Sequence, residues 1–166
     1  MQIKGESKGL VSTWAFIKDY NLLVDAGEGV TNALYESLGS IRHIALTHTH
    51  FDHVGGLAGL LHLQGRVAPH IKPNLYLPGE SERIEKILAL LNPKTRENIN
   101  IVRTDKADNF DIGGGRTLTT FGINHSPASR AIIVWETRRK LKPEHAGLTG
   151  QEIGTLKKTG AEVDTN

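Results

Sequence analysis

The sequence predicts an α/β fold in one domain, because short apolar segments with strand character alternate with segments of helical periodicity. A chain of 166 residues with 38% hydrophobic and 23% charged residues can form one sizeable core but is too short for two ordinary domains. The composition changes after Thr137, where Lys, Arg, Glu, Gly and Thr predominate. We therefore predict an α/β domain over residues 1–137 and a basic tail, arm-like or loosely ordered, over residues 138–166.

The elements of the domain follow from the local pattern. Strands come first, and the segments 14–17 and 21–24 predict a pair around a turn at residues 18–20. Helical spacing begins at Val30, and helices are also predicted over 54–63 and 81–91, the last ending before Pro93. Short apolar runs predict further strands at residues 42–47, 74–77, 100–102, 117–121 and 131–135.

Composition narrows the possible chemistry. The chain has no cysteine, so disulfides, thiolate metal sites and cysteine nucleophiles are excluded, and any metal must be bound by imidazole and carboxylate groups. Residues 1–8 carry charges where a signal peptide needs an apolar stretch, and no run reaches the ~20 apolar residues of a membrane helix. We expect a cytoplasmic protein without a membrane partner.

Cationic residues concentrate in the last third of a chain whose net charge is +2 and whose pI is about 8.9. A cluster of this kind can neutralise the phosphates of a nucleic acid, and an ordinary solvated basic face is the alternative. The candidate RNA-binding residues are Arg138, Arg139, Lys140 and Lys142.

Residues 48–53 carry the strongest chemical signal. If residues 44–47 form a buried strand, the period of two places His48 and His50 on one side at its end, where both can bind one ion. Asp52 and His53 then lie on the following turn and suit a second ion, ~3.5–4 Å away in two-metal hydrolases. Four ligand-type side chains in six residues would be poorly satisfied without a metal. The sequence therefore predicts a two-metal hydrolase, with hydrogen-bonded loop histidines as the alternative.

Two further residues are candidates for the same site. His125 follows a predicted strand and could complete the trio on the first ion, or it could be an ordinary loop histidine. Asp25 ends an apolar strand and could accept the second N–H of a ligand imidazole, or it could be a turn aspartate before Gly27. No role is assigned to the other loop and helix histidines, His43, His62, His70 and His145.

These motifs together resemble a known family. The run from Leu23 to Gly29, which contains Asp-x-Gly-Glu-Gly, the run from Leu46 to Leu57 with its histidine motif, and then His125, resemble the tRNA 3′-processing endoribonucleases, tRNase Z, of the metallo-β-lactamase superfamily. With Glu28 in this run, the chain resembles the nuclease subgroup in particular, and it is similar to the short bacterial branch of that subgroup. The resemblance implies an αββα sandwich, of which this chain would form the N-terminal half plus the tail.

The resemblance also implies roles for single residues. His48, His50 and His125 would bind one zinc ion, Asp52 and His53 the other, and Asp25 would support the site. A hydroxide between the ions would attack the phosphodiester of precursor tRNA with Asp52 as the base. Mn²⁺ or Fe²⁺ could replace zinc, because both accept the same ligands.

The chain departs from the family at its end. Family members have a second half that supplies an aspartate bridging both ions, another histidine ligand and a histidine that assists the leaving group. This chain ends before such residues, so the second ion would have only Asp52 and His53. A half-fold would also expose one sheet face, which predicts a homo-oligomer such as a dimer, or a complementing chain.

Three functions are consistent with these observations. The first is a tRNase Z polypeptide that depends on a second half. The second is another hydrolase of the same fold that acts on a small ester or lactam, for which Glu28 and the basic tail would be incidental. The third is a non-catalytic remnant that binds one metal ion, RNA or a partner.

Overall fold

The main β-sheet has six strands whose spatial order follows their order in the sequence. The computed structural model describes residues 1–125, 128–137 and 140–165. The strands of this sheet are β1 Ile3–Lys8, β2 Ser12–Ile17, β3 Leu22–Val24, β4 His43–Ala45, β5 Asn74–Leu77 and β6 Asn100–Arg103. β1, β2 and β3 pair antiparallel, whereas β3, β4, β5 and β6 pair parallel.

Helices make each connection between the parallel strands. They are α1 Val30–Ala33, α2 Phe51–Val54, α3 Leu57–Val67, α4 Glu82–Ala89 and α5 Pro93–Glu97, with 3-10 turns at Lys18–Tyr20 and Tyr35–Ser40. α4 confirms the helix expected near residues 81–91, and the Ser81 side chain caps its first turn by accepting from the Ile84 amide. Within the described ranges, no helix is both long and apolar enough to cross a membrane.

The helix predicted over residues 54–63 is displaced along the chain, because α3 begins at Leu57 and continues to Val67. The part of α3 beyond residue 63 contains a polar residue in the core, Gln64. The Gln64 side chain is only 2% exposed and donates to the carbonyl oxygens of Leu38 and Ile41, each over 2.9 Å. The Gln64 Oε1 atom is buried without a hydrogen-bond partner, so only the amide nitrogen of this side chain is satisfied. A buried polar residue of this kind does not contribute to an apolar periodicity in the sequence.

Two hydrophobic cores lie on opposite faces of the main sheet. Neighbouring residues of one strand point to opposite faces, so Leu23 joins the core beneath the helices while Leu22 joins the other core. In β4, Ile44 likewise joins the core beneath the helices, and Ala45 joins the other core. The main sheet is therefore covered on one face by helices and on the other by a second sheet.

The second sheet consists of three antiparallel strands, β7 Asn109–Gly113, β8 Arg116–Ile123 and β9 Ser129–Glu136. A turn of three glycines joins the first two strands, and Gly113, Gly114 and Gly115 all have positive φ angles that disfavour larger residues. Ile112 and Leu118 are buried against the main sheet. The order of layers is thus helices, main sheet, second sheet.

The outer face of the second sheet is apolar and exposed. On β8, Phe121 and Ile123 are 46% and 47% exposed, and on β9, Ile133 and Trp135 are 38% and 57% exposed. These residues alternate with buried ones such as Leu118, so they share the face turned away from the main sheet. We call Phe121, Ile123, Ile133 and Trp135 the outer apolar face. It is the side on which the sequence predicted a missing layer.

The C-terminal segment contains regular structure. A two-stranded ribbon joins β10 Lys140–Leu141 to β11 Asp164–Thr165, with a 3-10 turn Pro143–His145 and helix α6 Gly150–Lys158 between them. Thr149 and Glu152 form a reciprocal capping box at the start of α6. Val163 is only 2% exposed. The division into a domain and an arm-like tail stays a prediction.

Candidate metal centre

The candidate metal centre lies at the edge of the main sheet where the parallel strands β3 and β4 end. Asp25 follows β3 directly, and the motif of residues 48–53 comes shortly after β4. The carboxyl ends of neighbouring parallel strands meet at one edge of a sheet, which is where such folds build their sites. The Thr47 amide donates to Asp25 Oδ1 over 2.8 Å, so the two segments are in direct contact.

Three histidines converge at this edge. One ring nitrogen of each of His48, His50 and His125 lies within 4.8 Å of the others. Two of these nitrogens, His48 Nε2 and His50 Nδ1, are 3.1 Å apart. His125 is exposed just beyond β8, whereas the other two are partly buried. Among the described residues, these three histidines are the one set of at least three potential ligands that could surround a single ion.

A network around Asp25 orients the fourth histidine of the site. Asp25 Oδ2 lies 2.8 Å from His53 Nδ1 and accepts from the Thr47 hydroxyl over 2.8 Å. The carboxylate is buried at 3% exposure, and its backbone has a φ of +56° that is uncommon outside glycine. The strained backbone directs the carboxylate toward the histidines. His53 is thereby fixed through Nδ1, which leaves Nε2 for another partner.

Asp52 is that nearest partner. Its Oδ2 atom lies 3.7 Å from His53 Nε2 and accepts a hydrogen bond from the Leu10 amide over 3.1 Å. Asp52 and His53 therefore present one oxygen and one nitrogen to the same small region. The described residues add no third ligand to this pair within reach of one ion.

The histidines of the site differ in their affinity for protons. The hydrogen bond that His53 donates to the Asp25 carboxylate raises the pKa of His53 above its usual value of 6.5, burial opposes this, and the charges of Asp25 and Asp52 raise the pKa further. Burial lowers the pKa of His48 below 6.5, and the positive charge of His53 lowers it further. His48 is therefore neutral at neutral pH, the form in which imidazole binds a metal.

The two loops of the centre are in close backbone contact. The Ala26 amide donates to the His53 carbonyl over 2.7 Å, and the Gly56 amide donates to the Ala26 carbonyl over 2.8 Å. A Cβ atom on Gly27 would lie 2.4 Å from the Asp52 carbonyl oxygen, and one on Gly56 would lie 2.3 Å from that of Gly27. Both glycines are required by this approach.

Thr47 is the functional residue that the sequence analysis missed. Besides its hydrogen bonds to Asp25, the Thr47 hydroxyl lies 3.0 Å from His48 Nδ1 and 3.5 Å from His53 Nδ1. It thus links the buried carboxylate to both ion positions. The available signal was a hydroxyl residue between the apolar strand and the first histidine.

The histidines without a predicted role lie in other surroundings. His43 is buried and contacts the Tyr76 hydroxyl at 3.1 Å, His62 lines a cavity of about 700 Å³ with residues of α5, and His145 pairs with Glu144 at 3.6 Å. That cavity, although large, contains none of the candidate ligands. We therefore place the chemistry at the histidine cluster.

The predicted RNA-binding cations are only partly visible. Arg138 and Arg139 lie outside the described residues. Lys140 is exposed on β10, and Lys142 pairs with Glu162 at 3.4 Å.

Comparison with known proteins identifies the superfamily of this chain. The sequence profile of the metallo-β-lactamase superfamily matches residues 8–141, most of the chain. The chain belongs to the metallo-β-lactamase superfamily. The predicted fold class is thereby confirmed, and membership of this superfamily implies metal ions, which the cluster of His48, His50 and His125 could bind.

The resemblance to tRNase Z is confirmed by the names of superfamily members similar to this chain. A chloroplastic tRNase Z of Arabidopsis thaliana is 23% identical over 165 residues, and the match covers 97% of this chain and 45% of the relative. The ribonuclease Z of Aeropyrum pernix is 41% identical over 143 residues, covering 75% of this chain and 44% of the relative. The chain thus spans about half the length of these two relatives.

A solved superfamily structure shows the same fold. The crystal structure of the human short-form tRNase Z aligns with a TM-score of 0.61 and 20% sequence identity, covering 95% of this chain and 73% of that one.

The ligand set of this superfamily member fits one metal ion and only part of a second. Three imidazoles form a donor set typical of a catalytic zinc site, which keeps a further position open. Asp52 and His53 alone are too few for a tightly bound second ion. The site is thus asymmetric in its protein ligands.

Proposed function

We propose that this chain is the metal-binding part of an endoribonuclease that removes 3′ trailers from precursor tRNA. The observation that carries the proposal is the convergence of His48, His50 and His125 beside the pair Asp25 and His53, in a chain whose relatives are ribonuclease Z enzymes. A cytoplasmic location is part of this proposal.

The proposal assigns a role to each residue of the site. His48, His50 and His125 would bind one zinc ion through their ring nitrogens, while Asp52 and His53 would contribute to a second. Bound zinc lowers the pKa of a water molecule and stabilises the negative charge that develops on the phosphodiester. Mn²⁺ or Fe²⁺ would suit the same donors.

The proton and the geometry are handled by the carboxylates. Asp52 is less buried than Asp25 and lies beside the open edge of the site, so we assign it the role of base that accepts a proton from the attacking water. Asp25 is buried and saturated by Thr47 and His53, so it positions His53 and does not contact RNA.

The RNA would be held by the basic segment that contains Arg138, Arg139, Lys140 and Lys142. Lys142 lies beside Glu162, and an exposed pair of this kind contributes little, so a phosphate can compete for the ammonium group. Neutralising phosphates releases counterions, which would make binding fall steeply with salt.

A second polypeptide segment would complete the site. The second ion position has two protein ligands, and the outer apolar face leaves Trp135 and its neighbours in water. We propose that another copy of the chain, or a segment equivalent to the remainder of the longer relatives, packs on this face. Sedimentation would detect it, and a monomer at micromolar concentration would contradict self-association.

The test of the proposed function is a metal count per chain combined with a cleavage assay on a precursor tRNA that carries a 3′ trailer. We expect at least one zinc per chain, and cleavage that increases when the complementing segment is added. Cleavage by the chain alone at an ordinary enzymatic rate would overturn the requirement for that segment. Absence of cleavage under both conditions would overturn the nuclease.

A second candidate function is favoured by the incomplete second ion position. With only Asp52 and His53 there, the chain would be a non-catalytic unit that binds one metal ion or RNA. Stable binding of tRNA, with one zinc and no cleavage in the presence of the complementing segment, would support this alternative. Absence of tRNA binding would instead favour a hydrolase that acts on small esters or lactams.

A further inference from the structure

Phe51 places an exposed aromatic ring inside the metal-binding motif, between His50 and Asp52. The side chain is 64% exposed although it belongs to the most apolar class of residues. The ring lies close to Gly55, and a Cβ atom at that position would lie 3.0 Å from Cε1 of the ring, so a larger residue there would require the ring to shift. The glycine thus allows the ring to lie over the backbone of α2 with much of its surface in water.

The ring borders a cavity of about 490 Å³ between α2 and α4. Its apolar side is formed by Phe51, Ile87 and Leu90, and Leu90 is itself 77% exposed. A volume of this size falls within the range of about 300–1,000 Å³ that is typical of small-ligand sites. The cavity is therefore large enough for a planar group that stacks on the ring.

The opposite side of the cavity carries a positive charge. Arg83 donates through Nη1 to the Thr49 carbonyl oxygen, which fixes the guanidinium beside the metal-binding loop. Lys86 is paired with Glu82 at 2.7 Å, whereas the hydrogen bond found for Arg83 within the described ranges is the one to the Thr49 carbonyl oxygen. A fixed guanidinium with free N–H groups suits a phosphate.

We propose that this cavity is a nucleotide subsite, in which a nucleobase stacks on Phe51 while Arg83 binds the adjoining phosphate. Single-stranded RNA is bound in this way by other proteins, because every base has a face that can stack on an aromatic ring. Phe51 directly follows His50 in the chain, so the bound base would neighbour the phosphodiester at the metal centre. The inference rests on the proposed function for the identity of the RNA.

The test compares adenosine 5′-monophosphate with ribose 5-phosphate, which lacks the base. Binding to the zinc-loaded chain is followed by chemical-shift changes in two-dimensional NMR spectra. Stacking contributes about a five- to hundredfold gain in affinity per base, so we expect the nucleotide to bind tighter by that factor. Equal affinity for the two ligands would overturn the subsite.

Variants assign the effect to the two side chains. Phe51→Leu should abolish the preference for the nucleotide, and Phe51→Trp should retain it. Arg83→Gln should weaken both ligands alike, and Arg83→Lys should restore part of the affinity. The control is Tyr35→Leu, which removes an aromatic ring that is 59% exposed on a 3-10 turn and should leave both affinities unchanged. A preference that survives Phe51→Leu would contradict the stacking.

The outcome is separable from that of the proposed function. If precursor tRNA is cleaved but the nucleotide preference is absent, the subsite is wrong and the nuclease stands. If the preference is present but cleavage is absent under all conditions, the nuclease is wrong and a nucleotide site remains. The apparent KM of trailer cleavage should rise in Phe51→Leu by the same factor as the loss in nucleotide affinity, with kcat nearly unchanged.

Discussion

The two ion positions of the candidate centre differ in the source of their ligands and in their support. The first has three imidazoles, one of which, His125, comes from the second sheet. The second has only Asp52 and His53, yet His53 is held by the buried Asp25 network. The number of ligands and the rigidity of their support are therefore distributed unequally between the two positions.

The second ion position shows that a site can hold a ligand in the right orientation and still have too few ligands to bind an ion tightly. Orienting a histidine through a buried carboxylate lowers the cost of binding an ion, but affinity still depends on the number of donors. We expect the first position to bind its ion tightly in this chain alone. The second should fill only when further ligands arrive.

The largest effect is expected from removing a ligand of the first position. His50→Ala should lower zinc affinity by more than about a hundredfold, since substitutions of residues that merely support ligands already cost 10–100-fold. Competition with a chromophoric chelator measures the change. His62→Ala is the matched control, because this exposed histidine lies in α3. Equal loss in both variants would contradict the assigned centre.

The next effect concerns the support of the second position. Asp25→Asn should lower the affinity for a second metal equivalent by about 10–100-fold. It should also reduce the free energy of unfolding by about 1–3 kcal/mol, because the buried hydrogen bonds from Thr47 and His53 lose their charged acceptor. Denaturant titration of the metal-free chain measures the second change. Asp105→Asn, a change in a partly exposed carboxylate, should alter neither quantity.

Protonation should distinguish the two positions in the metal-free chain. His53 should titrate above pH 6.5 and His48 below it, as followed by NMR. A raised folded-state pKa means that the stability from His53 is fully present below pH 6.5 and is lost as the pH rises through the higher folded value. The lowered pKa of His48 acts in the opposite sense, so its contribution is lost as the pH falls. Identical titration of both histidines would contradict the Asp25 network.

The smallest effect is expected at the outer apolar face. Trp135→Lys should change the free energy of unfolding by no more than about 0.5 kcal/mol, because the side chain is 57% exposed. It should nevertheless shift sedimentation toward the monomer and weaken complementation by a second segment. Val67→Lys, which is 50% exposed at the end of α3, serves as the control. Unchanged association in Trp135→Lys would exclude this face as the interface.

The sequence predicted those parts of the fold that depend on local pattern. β5 lies at residues 74–77 as predicted, because a strand buried on both faces has a short continuous apolar run that the sequence shows directly. β1 was not predicted, since all six of its residues are exposed and show no alternation. Helix α5 was not predicted either, because its five residues are too few to show helical periodicity. The N-cap Asn92 and Pro93 at the first helical position were the only signals of its start in the sequence.

The candidate site shows the same limit. Asp25 could be singled out because a carboxylate ending an apolar strand is conspicuous, whereas Thr47 looks like an ordinary strand residue. The encounter of His125 with His48 joins segments 77 positions apart, and only the layering of the two sheets brings it about. The exposure of the Phe51 ring could not be predicted from the sequence either, because the ring lies beside Gly55 and faces α4 only in the folded structure.

The tight backbone contact between the loop after β3 and the motif after β4 has a consequence for protein engineering. Ala26 bonds to both His53 and Gly56, and neither Gly27 nor Gly56 has room for a side chain. A graft of the histidine motif into another scaffold would therefore fail unless the Asp25–Gly27 loop travels with it. The two loops therefore have to be transferred together, as one structural unit.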